Sequence, residues 1–367
     1  MFKKNFDINL DFLKLKSPPL IGVDVSSSSV KMVELSIIDK STKAYCIERY
    51  AIEPLPAGTM VDGGIVNLDA VSESILRGLK RMGTQLKNVA LALPATDVIT
   101  KKIIVPAGQR EDDLAFQVEN EASQYIPFAE NEVDLDFQVM KTLPDNPDEL
   151  EVLIAASRKD KVEDRVAAAL SAGLKTVVMD VEPYAAQAAF EIIENSLPES
   201  GKDQVIALVD IGAVVMNVNV LHNGESVYMR DQTFGGDQLT QEIHNQFNLT
   251  LEEAEAAKRS GELPENYQSD VLQPFCETVS VEVMRAIQFF YTSTQYTEIN
   301  YIFIAGGCAA IPGLNETIAA RTQVSTLVVN PFSSMELSSR IIPRQLNLDA
   351  PSLLIACGLA MRSFDPS

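Results

Sequence analysis

Two apolar runs in this chain end in a carboxylate and pass at once into small residues. One copy reads LIGVDVSSSSVKMVEL, from Leu20 to Leu35, and the other VIALVDIGAVVMNVNVL, from Val205 to Leu221. Short β-branched runs bounded by small residues predict strands, and each small stretch predicts a tight turn into a second strand. A further turn and a third strand follow each copy: around Asp39–Lys43 then Ala44–Ile52, and at Asn223-Gly224 then Glu225–Phe234. Superposing Asp24 on Asp210 sets Ser26 on Gly212, Ser27 on Ala213 and Lys31 on Asn217. Two similar meanders half a chain apart predict two similar domains facing each other.

Helical spacing takes over elsewhere. Val71, Ile75, Leu79 and Met82 predict a helix over Asp69–Met82, and further helices are expected at Gln238–Phe247, Glu252–Lys258, Asp270–Thr292 and Ser352–Met361. Tyr301–Ala320 reads as strand, Gly306-Gly307 turn, then helix. Between the repeats lies a block matching neither: strand Asp97–Val105, helix Glu111–Gln124, strands Val133–Lys141 and Glu151–Ala156 joined by a Leu143–Asp148 loop, and helix Asp160–Ser171. Strands and helices alternating throughout predict an α/β architecture.

The length of 367 residues, 46% hydrophobic, suffices for two cored domains. A net charge of −21 repels phosphate backbones and argues against a nucleic-acid partner. The acid concentrates in the central block, with thirteen acidic residues against Lys141 alone from Glu111 to Glu151. That pattern reads as a solvated face or as a surface for a basic partner. Cys46, Cys276, Cys308 and Cys357 lie too far apart for a zinc motif and are expected as buried thiols of a reducing compartment. No run is long and apolar enough to span a membrane, and Asp7 and Asp11 interrupt what would be a leader's apolar core, so a cytoplasmic location is expected.

A nucleoside triphosphate needs donors around its phosphates and a seat for magnesium. Turns of small residues let backbone N–H groups reach phosphate oxygens, and Ser26–Ser29 add hydroxyls. Asp24 and Asp210 at strand ends suit a magnesium held through its waters, and Lys31 suits a phosphate as a point charge. Gly306-Gly307 allows close approach of the nucleoside. Any one of these segments alone is compatible with a plain hairpin or turn; their order and duplication make the signal.

In that order the three segments resemble the two phosphate loops and the adenosine loop of the actin, Hsp70 and sugar-kinase superfamily, over nearly the whole chain. The resemblance implies an actin-like two-domain fold, duplicated RNase H-like domains with an FtsA-like inserted strand-helix-strand-strand subdomain between strands Val89–Leu93 and Thr176–Asp180. The implied divisions are an N-terminal tail (1–17), a first actin-like domain (18–93 and 175–200), the inserted subdomain (94–174), a second actin-like domain (201–350) and a C-terminal helix returning to the first domain (351–367). Within the superfamily the chain is similar to the PilM family of type IV pilus assembly proteins. The residues carrying this are IGVDVSSSSVKMVEL, ENEASQYIPFAENEVDLDFQV (Glu119 to Val139) and FGGDQLTQEI (Phe234 to Ile243).

The resemblance implies a scaffold peripheral to the inner membrane, with ATP and Mg2+ bound between its domains and at most slow ATPase activity. Its implied partners are the cytoplasmic tail of PilN, docked in a groove between the first domain and the inserted subdomain, and the pilus motor ATPases; it also admits a homo-oligomer. Carried over, Asp24, Ser26, Ser27, Ser28, Lys31, Asp210, Gly212 and Ala213 surround the phosphates, with Asp24 and Asp210 reaching magnesium through water. Gly235, Gly236, Lys258, Gly306 and Gly307 surround the nucleoside, and Tyr125 and Phe128 are the groove candidates, with packing as their alternative. Ser26 stands where the superfamily usually has glycine and Ala213 where a hydroxyl is common, which argues against brisk turnover.

Other residues have plainer readings. Glu182 is the nearest candidate for a water-activating group, though as a helix's first residue it suits the dipole; Gln187 is expected to face solvent. His222 is expected as an exposed turn residue, His244 as partly buried, and Phe289-Phe290-Tyr291 as core. A superfamily kinase is a less favoured alternative, since it needs a general base at a substrate hydroxyl and no residue stands out for that role. An FtsA-like filament protein would need an amphipathic C-terminal helix that Arg362–Ser367 cannot make, and a related secretion-system scaffold is a further alternative. At the N-terminus Ile8-Asn9-Leu10 resembles the PilN tail, so Met1–Lys16 is read as a competitor for the groove, a link between subunits, or a frayed end.

Overall fold

The computed structural model describes residues 19–39 and 44–365; the expectations for the N-terminal tail, the turn after Asp39 and the last two residues lie outside the described residues. The chain forms two compact units, Met1–Ala186 with Ile355–Ser367, and Gln187–Leu354.

In the first unit β1 (Ile21–Val25), β2 (Ser29–Asp39) and β3 (Ala44–Pro54) form an antiparallel meander, with the short hairpin β4 (Met60–Val61) and β5 (Gly64–Ile65) after it. Helix α1 (Leu68–Met82) begins where the Asn67 side chain accepts from Ala70 N and ends at Gly83, φ 62°. A side-chain cap of this kind contributes about 1 kcal/mol. Val71, Ile75 and Met82 are buried under it, as its spacing predicts. Strand β6 (Asn88–Leu93) returns parallel to β1.

Next come β7 (Val98–Pro106), α2 (Glu111–Ala122), β8 (Val133–Leu143), β9 (Asn146–Arg158) and α3 (Lys159–Ser171). Strands β7, β9 and β8 form a separate three-stranded sheet in that order. Its own core joins Ile103, Val105, Val152 and Ile154 to Leu114, Val118 and Ala122 of α2. The loop expected at Leu143–Asp148 is tighter than foreseen: Leu143 pairs with Asn146, leaving Pro144-Asp145 as the turn. Helix α3 does not pack in that small core. Its alanine face, Ala168 and Ala169, joins Val71, Ile75 and Met179 in the main core of the unit, while the strand-helix-strand-strand part shares the small one.

Strand β10 (Lys175–Val181) pairs with β6, giving the order β10-β6-β1-β2-β3, and α4 (Glu182–Glu194) follows. The chain passes from the first unit to the second after Ala186, and Phe190 of α4 packs edge-on against Phe303, centroids 4.9 Å apart.

The second unit repeats the meander as β11 (Val205–Ile211), β12 (Val215–His222) and β13 (Glu225–Thr233), then α5 (Gly236–Phe247), α6 (Leu251–Ser260), α7 (Gln273–Ser293), β14 (Tyr301–Ala305), α8 (Leu314–Thr322), β15 (Ser325–Val328) and α9 (Pro343–Asp349). The sheet runs β13-β12-β11-β14-β15. Helix α7 starts at Gln273 rather than Asp270: Pro274 has no N–H to bond the Asp270 carbonyl, and a π-helical turn, Gln268–Leu272, precedes it. Finally α10 (Leu354–Met361) lies mostly in the first unit. It packs so closely that a methyl at Gly358 would fall 1.7 Å from Ala185 O, and one at Gly22 2.0 Å from Ala356 O. Arg362 anchors its end on buried Asp180 at 2.5 Å.

Candidate functional site

The first turn joins β1 to β2 in strict register, Asp24 opposite Lys31 and Val25 opposite Val30. Ser26 N donates to Ser29 O at 3.0 Å to close it. Asp24 is 2% exposed, and Lys31 Nζ lies 2.8 Å from its Oδ2 and 3.1 Å from Ser26 Oγ. Ser26 Oγ also donates to Ser29 O. Lys31, expected at the phosphates, is thus held at the carboxylate, and Ser26 is committed inside the turn. Ser27 and Ser28 stay half-buried at its tip.

The second turn repeats this geometry. Asp210 pairs with Asn217 and Ile211 with Met216, and Gly212 N donates to Val215 O, again at 3.0 Å. Where the first copy has an ammonium, Asn217 Nδ2 donates to Asp231 instead. Two glycine segments close on this turn. Gly236 N donates to Gly212 O at 3.0 Å and Asp237 N to Ala213 O at 2.9 Å. A methyl at Gly235 would lie 2.4 Å from Ala213 O, so the backbones touch there. Gly306 has φ 85°, and a methyl on it would meet Ile211 O at 2.4 Å and Asp210 Oδ1 at 2.5 Å.

Lys258 reaches this cradle from α6. Its Nζ lies 2.6 Å from Thr240 Oγ1, 2.5 Å from Glu255 Oε2 and 3.4 Å from Gly236 O. Thr240 and Glu255 were not foreseen. The signals that could have found them are the Glu-x-x-Lys spacing, which puts both on one helix face, and Thr240 one turn after Gly236. Burial pushes the Glu255 carboxyl up, but hydrogen bonds from Lys258, Thr240 and Arg259 bring it below its ordinary value. Burial raises the Asp237 carboxyl. Cys308 also joins, its Sγ 3.6 Å from Gly212 O, and burial raises its thiol to about 12.

Other expectations divide. Glu182 is the first residue of α4, as predicted. Gln187 does not face solvent: it is partly buried, Nε2 donates to Gly224 O at 2.6 Å, and Oε1 is buried without a partner among the described residues. His222 is not an exposed turn residue either. It ends β12, partly buried, its ring packed on Tyr296 at 5.4 Å. Phe290 is fully buried and Tyr291 packs against the core, but Phe289 is exposed under Arg230, 3.9 Å from the ring centroid. Tyr125 and Phe128 follow α2, 44% and 39% exposed, their rings beneath Lys101 and Arg158. All four cysteines are free thiols.

The residues present fit a magnesium nucleotide. Gly235 and Gly306 let backbone segments close on the second turn with no side chain between them, and a carboxylate at the end of each first strand suits magnesium. Among the described residues no three Asp, Glu, His or Cys side chains gather as a metal cage. A magnesium at Asp24 or Asp210 would therefore take most ligands from water and phosphate.

The duplicated meander, the inserted sheet and the returning helix define an actin-like α/β protein. The family model of the type IV pilus assembly protein PilM matches residues 22–364, and the chain belongs to that family. The solved PilM-PilN type IV pilus biogenesis complex is similar, with TM-score 0.79 and 28% identity over 95% of this chain and 100% of that one. The ethanolamine utilization protein EutJ from Carboxydothermus hydrogenoformans shares the fold, with TM-score 0.57 and 18% identity over 94% of this chain and 89% of that one. The cell division protein FtsA of Enterococcus hirae is 22% identical over 258 residues, 66% of this chain and 58% of that protein, so the match spans little more than half of that relative.

Proposed function

We propose that this chain is an ATP-binding scaffold of the type IV pilus inner-membrane platform, cytoplasmic and peripheral to the membrane. It binds the N-terminal cytoplasmic tail of PilN and links it to the motor ATPases. The observation that supports this best, in a member of the PilM family, is one turn built twice in identical register, each copy headed by a carboxylate: Asp24 opposite Lys31, and Asp210 opposite Asn217. In this reading the backbone N–H groups of Ser27, Ser28 and Ala213 receive the phosphates, while the Gly212 N–H closes the second turn on Val215 O. Gly235, Gly236, Lys258, Gly306 and Gly307 receive the nucleoside, with Thr240 and Glu255 orienting the Lys258 ammonium. Magnesium, when bound, neutralises phosphate charge, and Asp24 and Asp210 hold its waters. No helix among the described residues is long and apolar enough to cross a membrane, in keeping with attachment through partners.

The tail's seat is assigned to the acidic inserted subdomain near Tyr125 and Phe128. An extended peptide gains affinity by laying apolar anchors into pockets. The test is fluorescence anisotropy of a labelled PilN tail peptide with the full chain. Saturable binding is expected, lost in Phe128→Asp, which puts a charge in an apolar contact, while Mg-ATP affinity survives. A folded Phe128→Asp variant that binds the peptide normally places the groove elsewhere, and no binding by the unmodified chain removes PilN as partner.

A further inference from the structure

Helix α3 carries a buried cation that the proposed site does not use. Arg165 is 3% exposed. Its Nη1 donates to Val25 O at 3.0 Å and its Nη2 to Gly63 O at 3.1 Å. Among the described residues its hydrogen bonds go to these two carbonyls and not to a carboxylate. A guanidinium buried against neutral acceptors is costly to desolvate, so plain packing is a poor reason for its presence.

The two acceptors are informative. Val25 ends β1 and is the residue before Ser26. Its carbonyl shares one planar peptide with the Ser26 N–H, the group that closes the turn on Ser29 O. Holding Val25 O therefore fixes the direction of the first amide of the turn. Gly63 lies at the tip of the β4–β5 hairpin, where Asp62 and Gly63 both have positive φ, 48° and 76°. One guanidinium thus clamps the turn to the neighbouring hairpin, and its charge stands one peptide behind the turn. Helix α3 starts directly from β9, the central strand of the inserted sheet. The root of that sheet is pinned by Ser157 Oγ donating to Asp97 O at 2.8 Å.

We infer that Arg165 is a positioning residue for the Ser26–Ser29 turn: it fixes the Val25–Ser26 peptide and adds positive potential for a phosphate bound there, without touching the nucleotide. The identity of that phosphate rests on the ATP reading; the clamp itself does not.

Two measurements on the full chain separate these. In hydrogen exchange without nucleotide, Arg165→Met is expected to speed exchange of the Ser26 amide, which closes the turn, roughly tenfold or more, by loss of two charge-assisted hydrogen bonds. Arg165→Lys, whose single ammonium holds one carbonyl well, falls between, and β11 and β12 stay unchanged. In titrations, Arg165→Met weakens Mg-ATP about tenfold while adenosine binding is unaltered. Unchanged exchange at the Ser26 amide overturns the inference, as does equal weakening of ATP and adenosine, which marks a general structural defect. Should Arg165→Met fail to fold, Arg165→Lys decides by the same readouts. A parent chain that binds no Mg-ATP, yet whose turn loosens in the variants, defeats the nucleotide reading and leaves the clamp standing.

Discussion

Lys31 Nζ sits 2.8 Å from Asp24 Oδ2, directly across the β1–β2 ladder, and fills the charge requirement of a carboxylate only 2% exposed. Removing one member of a buried pair leaves the other charge stranded. Lys31→Met is expected to cost about 3 kcal/mol of stability in urea unfolding. Asp24→Asn in the same background should recover most of that loss, since it removes the stranded charge. A double variant no more stable than Lys31→Met contradicts the pairing.

The glycines around the second turn make a graded prediction. Gly306→Ala places a methyl 2.4 Å from Ile211 O at φ 85°, and Gly235→Ala one 2.4 Å from Ala213 O. Each is expected to destabilise by about 2 kcal/mol or more. Gly307→Ala meets nothing within 4 Å and should lie within about 0.5 kcal/mol of the parent chain. Equal effects at Gly306 and Gly307 in thermal unfolding would show that the close approach is not real.

Cys308 gives a pH dependence. Its thiol is raised by burial from 9.0 to about 12, so the folded state holds its proton where the unfolded state loses it. Its stability contribution is fully present below pH 9 and is lost as the pH rises toward 12. Cys308→Ala should flatten the decline in stability above pH 9, measured by urea unfolding at several pH values. An identical slope in the variant refutes the assignment. Alkylation of Cys308 at neutral pH should likewise be far slower in the folded than in the unfolded chain.

Much of this molecule was legible in the sequence because period and punctuation agree along it. The α1 stripe, the Asn223-Gly224 turn and the Asp24/Asp210 repeat all rest on local chemistry that folding leaves unchanged. What escaped depends on contacts distant in sequence. Helix α3 carries an ordinary amphipathic pattern, and nothing in it says that Ala168 and Ala169 face Val71 rather than the inserted sheet. Gln187 reads as a polar surface residue until Gly224 O is found 2.6 Å away. Glu255 and Thr240 matter only once α5 and α6 bring them to Lys258.

Turnover should be slow. Ser26 Oγ is spent on Ser29 O, and Ala213 supplies no hydroxyl at the second turn. Steady-state phosphate release is expected far below the about 10 per second of a typical enzyme. Release at that rate would make the chain an enzyme rather than a scaffold.

The proposal that this chain binds Mg-ATP and needs both Asp24 and Asp210 to do so is tested most directly by calorimetric titration of Mg-ATP into the full chain. Saturable binding is expected, weakened roughly tenfold or more by Asp24→Ala and likewise by Asp210→Ala, each losing a charge-assisted contact with the hydrated metal. Glu182→Ala should bind as the parent does. Unchanged affinity in both aspartate variants, or no heat of binding in the parent chain, would contradict it.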